Sequence, residues 1–258
     1  MTRIALYGLC LTVLCALPVH AAQPLITDDT GTQGQGGRQL ELSHTDERAR
    51  QASVVGRSRA TGATYTLGLT EEVDVFASGA YRSLKSPEIG SPSGVGNLVL
   101  GLKWRAWAQQ SGGLSLALKP ELILPVSASR EAAGLGTGRT SYGLTAIASQ
   151  ETFFGAVHFN VGLGRERFRQ AQDNEDLRRY SVAPVWEVDP SWKLALDVGQ
   201  QFSKGADGLR LRTRFVEVGA IYSPNKNQDW ALGLIRSQEN DNPQTTSRTL
   251  TGGLTWRF

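Results

Sequence analysis

Beyond residue 21, the 258-residue chain contains no cysteine and no methionine, since Cys10, Cys15 and Met1 are the only ones. That portion has no disulfide framework, no zinc–thiolate site and no cysteine nucleophile. Helical periodicity is scarce too, with no convincing run longer than about three turns after the first twenty or so residues. Charge of one sign is not in excess: 27 basic side chains face 24 acidic ones, and 26 remain once Arg3 is set aside. This balance gives no electrostatic reason to expect nucleic acid as a partner. The residues suggest no cofactor and no metal.

Only one sustained apolar run exists, Ile4 to Leu17, behind Arg3 and ahead of Val19-His20-Ala21. It predicts a signal peptide over 1–21, with cleavage after Ala21. The run is short for a membrane span and has no basic flank beyond it. The residues before Cys10 and Cys15 lack the small pair that lipidation requires.

What the rest of the chain does have is alternation at period two. Phe159, Val161 and Leu163 interleave with His158, Asn160 and Gly162, and Leu250, Leu254 and Trp256 with Thr249, Thr255 and Arg257. Such patterning predicts strands with one apolar and one polar face. About twelve segments qualify: 38–46, 58–69, 73–82, 96–106, 114–125, 140–149, 152–166, 178–188, 192–202, 211–222, 229–237 and 247–258. The connections alternate short and long, as periplasmic turns and outer loops do.

The six tryptophans, Trp104, Trp107, Trp186, Trp192, Trp230 and Trp256, all fall beside short turns or the carboxy-terminus. Indole favours a membrane–water boundary, so Trp104, Trp186, Trp192, Trp230, Trp256 and Phe258 are expected to form a periplasmic aromatic girdle. A sheet in hydrocarbon must close, because no water satisfies its edges. The expected fold is therefore all-β: a closed antiparallel transmembrane barrel of about twelve strands over 38–258, both termini periplasmic. The location is then the outer membrane of a Gram-negative bacterium. The last strand, closing on Thr255-Trp256-Arg257-Phe258, resembles the signal read by barrel assembly machinery, an expected partner.

Residues 22–37 form a periplasmic lead-in, PLITDDTGTQGQGG from Pro24. Asp29-Thr30-Gly31 is the tripeptide of aspartic proteases, but those need two carboxylates sharing a proton and this chain has one copy. Asp28 and Asp29 also lack the alternating oxygen ligands of a calcium loop. The segment either lies free or folds back into the barrel mouth.

That opening, with the strand RQLEL that follows, resembles the start of the MetA-pathway-of-phenol-degradation family of outer-membrane transporters. YTLGLTEEVDVFASGAYRS (65–83) and GVGNLVLGLKWR (94–105) resemble that family's next strands. The likeness is motif-like over about 24–125 and pattern-like beyond. It implies a channel-type barrel associated with uptake of aromatic or hydrophobic compounds, and it brings no catalytic residues.

Strand parity sorts the polar residues. Glu41, Asp74, Lys103, Arg105, Lys119, Glu121, His158, Asn160, Asp197 and Glu217 are expected to line the lumen along a candidate solute path, with Lys103 and Arg105 paired against Glu121. Arg165, Arg167, Arg210 and Arg212 fall on the outward face at the extracellular strand ends, where lipopolysaccharide phosphates would meet them. A barrel enzyme acting on lipid would need a serine beside a histidine, but Asn160 stands where a His-x-Ser arrangement from His158 would place it. Passive passage of small solutes is the leading expectation, with outer-membrane lipid as surroundings. A lipid-acting enzyme and a structural or adhesive barrel are the alternatives.

Overall fold

The computed structural model describes residues 23–87, 90–109 and 113–258; the expected signal peptide lies outside them. The strands are β1 (Arg38–Gln51), β2 (Val54–Gly68), β3 (Val73–Lys85), β4 (Ser93–Val95), β5 (Val99–Ala108), β6 (Leu114–Ile123), β7 (Ser141–Thr152), β8 (Gly155–Glu166), β9 (Glu175–Glu187), β10 (Trp192–Gly205), β11 (Arg210–Asn225), β12 (Gln228–Glu239) and β13 (Thr245–Arg257). Neighbours pair antiparallel throughout, and β13 returns to β1, from Gln39 opposite Arg257 to Gln51 opposite Thr245. The sheet has no free edge. β4 and β5 both pair with β3, so they are two pieces of one stave interrupted at residues 96–98. Thirteen segments thus make a closed barrel of twelve staves.

Its polarity is inverted relative to a water-soluble protein. Leu144, Phe159, Val161, Leu163, Leu232, Leu234 and Leu250 are exposed, whereas Glu41, Asp74, Lys119, Asp197 and Glu217 are buried. Such an arrangement is stable only where hydrocarbon surrounds the outside and polar partners fill the inside. The tryptophans are all exposed, between 38% and 53%. They cluster with other aromatics at the rim bearing the tight turns: Trp192 lies 4.8 Å from Tyr222, Trp256 5.6 Å from Phe258, and Trp186 5.9 Å from Phe154.

All twelve expected strands exist, but several run further than alternation suggested. Residues 47–57, expected as a loop, continue the β1–β2 ladder up to a turn at Ala52-Ser53. There the outward positions become Arg48, Arg50, Arg57 and Arg59 while Glu47 and Ser58 stay buried. Hydrophobic alternation fades above the lipid band although the hydrogen bonds persist. The 124–140 loop holds α1 (Ala128–Ala132), capped by Ser127, whose hydroxyl accepts from the Arg130 N–H. Asn97 ties this loop to the barrel, donating to the Leu124 and Thr137 carbonyls at 2.7 and 2.9 Å and accepting from the Thr137 N–H at 2.8 Å.

Candidate functional site

The barrel axis is occupied by the chain's own N-terminal segment. From Gly37 at the foot of β1, the chain runs back past the β2–β3 turn, where Gly36 N–H donates to the Gly68 carbonyl and Gly68 N–H to that of Gly37. It then crosses the lumen as a strap, residues 23–35. Among the described residues its backbone joins no strand ladder, and wall side chains bond it instead. Gln33 N–H donates to Asp74 at 3.0 Å, and Thr30 N–H to Ser149 Oγ at 3.1 Å. Ile26 and Thr27 N–H both donate to Asp197 Oδ2, at 2.9 and 2.6 Å, and the Thr27 hydroxyl donates to Asp197 Oδ1 at 2.7 Å. With its amide turned to suit these partners, Asn160 accepts from Asp28 N–H at 2.7 Å and donates to the Asp28 carbonyl at 2.9 Å.

Asp28 is the centre of the strap. Its carboxylate, 1% exposed, accepts from Lys103 Nζ through Oδ1 and from Lys119 Nζ through Oδ2, each at 2.8 Å. The register that sets Gly101 against Glu121 and Trp104 against Leu118 brings Lys103 beside Lys119. Two buried like charges there require an anion between them. Burial pushes the Asp28 carboxyl upward, but the Lys103 and Lys119 charges outweigh it and hold the group below its ordinary range. Removing one partner of such a buried cluster costs about 3–5 kcal/mol. The expected pairing of Lys103 and Arg105 against Glu121 is corrected here. Lys103 goes to Asp28, Arg105 donates to the Glu71 carbonyl at 2.8 Å, and Glu121 lies 4.0 Å from Lys119.

Three glycines open the wall for the strap's end. A Cβ on Gly219 would stand 2.6 Å from Pro24 Cγ, one on Gly233 2.9 Å from Pro24 Cβ, and one on Gly253 would overlap the Gln23 amide. Leu25 packs against Ala183, Val185 and Ala195. Glu217 is fully buried next to this contact, and among the described residues no hydrogen bond to its carboxylate meets the geometric criteria; the nearby Ile26 N–H donates to Asp197. Between the strap and the rim bearing the tight turns lies a cavity of about 450 Å³, lined by Asp29, Thr30, Arg105, His158, Lys193 and Arg257 among others. On the strap's other side a pocket of about 30 Å³ lies beside Lys119, Glu121 and Arg179, roughly room for one or two waters.

A family model described as "Putative MetA-pathway of phenol degradation" matches residues 26–258. The chain belongs to this family. The match takes in residues 26–35 of the strap as well as the whole wall of this phenol-degradation MetA-type barrel. Among solved structures, the chain is similar to an outer-membrane channel from Pseudomonas putida F1, with a TM-score of 0.77 at 15% identity over 89% of this chain and 98% of that one. It is also similar to the NanC porin, TM-score 0.55 at 9% identity over 83% and 98%. A third is the monoaromatic hydrocarbon channel CymD, TM-score 0.52 at 13% identity over 88% and 90%. At these identities the likeness is one of fold. No curated protein matches the sequence.

In this MetA-type barrel all ten residues singled out for the lumen have inward positions, and Lys103, Lys119, Asn160, Asp74 and Asp197 are drawn together by the strap. Parity along single strands could find the wall residues. It could not find Asp28, Thr27 and Thr30, whose partners lie 75 to 170 positions away. His158 has a serine after all: Ser149, directly opposite on β7, lies 2.9 Å from its Nδ1. That serine already accepts from Thr30 N–H, and among the described residues no carboxylate is bonded to the other ring nitrogen of His158. Arg165 is exposed and lies 3.5 Å from Asp176, while Arg167 and Arg212 have their backbone N–H groups bonded to Ser141 and Asn240. Arg210 is exposed at the start of β11.

Proposed function

We propose that this barrel is a passive channel of the Gram-negative outer membrane for small solutes, hydrophobic or aromatic, and performs no catalysis. The observation that carries it is a closed barrel with a polar lumen and a cavity of about 450 Å³ on one side of a noncovalent strap. That volume is within the roughly 300–1,000 Å³ range of small-molecule sites. The hydrocarbon-channel function of CymD supports the same reading. Both chain ends belong on the periplasmic side with the aromatic girdle, and barrel assembly machinery inserts the chain. The test is reconstitution of the chain from residue 22 into planar bilayers and proteoliposomes, alone and with residues 22–35 removed. Solute flux that rises on removal supports the channel. Absence of conductance and swelling from both proteins overturns it.

Lipopolysaccharide is the proposed outer partner, and the register favours it. Arg236, Arg248, Arg48, Arg57 and Lys85 stand side by side on the outward face of five adjacent staves. Asp46 pairs with Arg57 and Arg59 but leaves the row strongly positive. Like charges directly opposite repel, and phosphates between them remove the repulsion. Arg248 and Trp256 are eight residues apart on one strand, about 27 Å along it and ~21 Å across a tilted wall. The row therefore lies where headgroup phosphates begin. A second row, Arg165, Asp176, Lys204 and Arg210, continues the positive rim, with Arg167 and Arg212 beside it.

A further inference from the structure

We infer that Asp197 and Glu217 form an ammonium-binding site on the solute path, that the end of the strap covers it, and that the solutes admitted are small amines with an apolar body. The inference rests on the channel reading and adds the chemistry of what passes.

The first argument is a carboxylate short of counter-charge. Asp197 and Glu217 stand directly opposite each other on β10 and β11, both inward and both fully buried. Arg179 acts on Asp197, and its guanidinium is held by the Gln201 side chain at 2.7 and 3.2 Å. What acts on Glu217 is the like charge of Asp197 and the Ile26 N–H, which donates to Asp197. No hydrogen bond to Glu217 meets the geometric criteria among the described residues. The strap brings no positive charge, since residues 23–35 contain no lysine or arginine. Two buried carboxylates side by side ionise together only when a positive charge joins them.

The second argument is what the strap places there instead. Ile26 N–H, Thr27 N–H and the Thr27 hydroxyl give Asp197 three donors, at 2.9, 2.6 and 2.7 Å. An ammonium group carries the same number of donors on one atom and adds the charge. Ahead of these donors run Pro24, on the bed of Gly219 and Gly233, and Leu25, against Ala183, Val185 and Ala195. Pro24 and Glu217 meet at one glycine: a Cβ on Gly233 would stand 2.9 Å from Pro24 Cβ and 2.4 Å from Glu217 Oε1. The strap's end is thus an apolar body followed by neutral donors. A small apolar amine reproduces both parts and supplies the charge, so its affinity for the opened bed exceeds the strap's own and shifts the strap aside. The cavity reaches this end, since Leu25, Val185 and Ile221 line it. Lys193 and Arg257, also on its wall, are already paired with Glu187 and Asp229.

Titration calorimetry of the full chain in detergent compares benzylamine with benzyl alcohol, which has the same ring and no charge. Benzylamine should bind at least about tenfold more tightly. Glu217→Gln, which keeps the side chain's shape, should remove that preference. Thr27→Val takes one donor from the strap and leaves both carboxylates in place, so it should strengthen benzylamine binding roughly tenfold. In bilayers, benzylamine but not benzyl alcohol should raise the open probability of the unsubstituted channel. Equal affinities for the two compounds in both the unsubstituted and the Thr27→Val protein would overturn the ammonium site. A preference that Glu217→Gln leaves intact would overturn it too, and conductance in the same preparations would leave the channel reading standing. Benzylamine selectivity that Glu217→Gln removes, without conductance from any of the proteins, overturns the channel reading and keeps the site.

Discussion

Asp28 and Lys103 lie 75 positions apart in the chain and 2.8 Å apart in space, and this contact fastens the strap across the lumen. With Lys119 on the carboxylate's other oxygen, it turns an otherwise polar, glycine-rich lead-in into an anchored strap. The strap's bonds to Asp74, Ser149, Asn160 and Asp197 position it without carrying a matched charge.

Acid should loosen the strap. Asp28 titrates below the ordinary carboxylate range. Its stabilising contribution is complete above the unfolded value of about 4 and is lost as pH falls through the lower folded value. The part of the strap's hold that Asp28 supplies should be lost, and conductance rise, as pH falls below about 4. The measurement is single-channel recording across this range for the unsubstituted chain and Asp28→Asn. A difference between the two that does not change with pH would refute the assignment.

A covalent lock should shut the channel. The Thr27 and Ser181 hydroxyl oxygens are 2.7 Å apart, and the region beyond residue 21 is free of other thiols. Thr27→Cys with Ser181→Cys, oxidised, should abolish solute flux, and dithiothreitol should restore it. Flux that is indifferent to reduction would mean that solutes bypass the strap.

Crowding the glycine bed should have the opposite effect. Gly219→Val or Gly233→Val places a side chain where Pro24 sits, an overpacking worth about 1–3 kcal/mol. Because the strap is held noncovalently and the wall by its ladders, the strap's end should yield first. Open probability should rise while the folded barrel keeps its electrophoretic mobility in detergent. Loss of the folded band at unchanged conductance would contradict this order of events.

The basic row should respond to lipid phosphate. Replacing Arg48, Arg57, Arg236 and Arg248 with Ser should remove most of the gain in unfolding midpoint that lipopolysaccharide confers over phosphatidylcholine. The set Arg165, Arg167, Arg210 and Arg212, where Asp176 already neutralises one arginine, should remove less. If neither set changes the lipopolysaccharide increment, the phosphate partner is wrong.

The barrel itself was legible in the order of residues, because lipid imposes a simple rule on each stave separately: apolar outward, polar inward, tryptophan at the boundary. Leu250, Leu254 and Trp256 obey it without reference to any other strand. The strand tips escaped the rule. Above the hydrocarbon, Arg48 and Arg57 face outward as readily as leucine does below, so the pattern loses contrast while the ladder continues.

What the linear chain determined alone was therefore the environment of each face, since that depends on the medium and on period-two geometry. Register and closure decided what stands beside what: Arg248 between Arg236 and Arg48, Lys103 next to Lys119, Ser149 against His158. The strap's place was decided last and only in three dimensions. Locally Asp28 accepts only from the Asp29 N–H, and its position follows from two buried ammonium groups that the closed wall brings together.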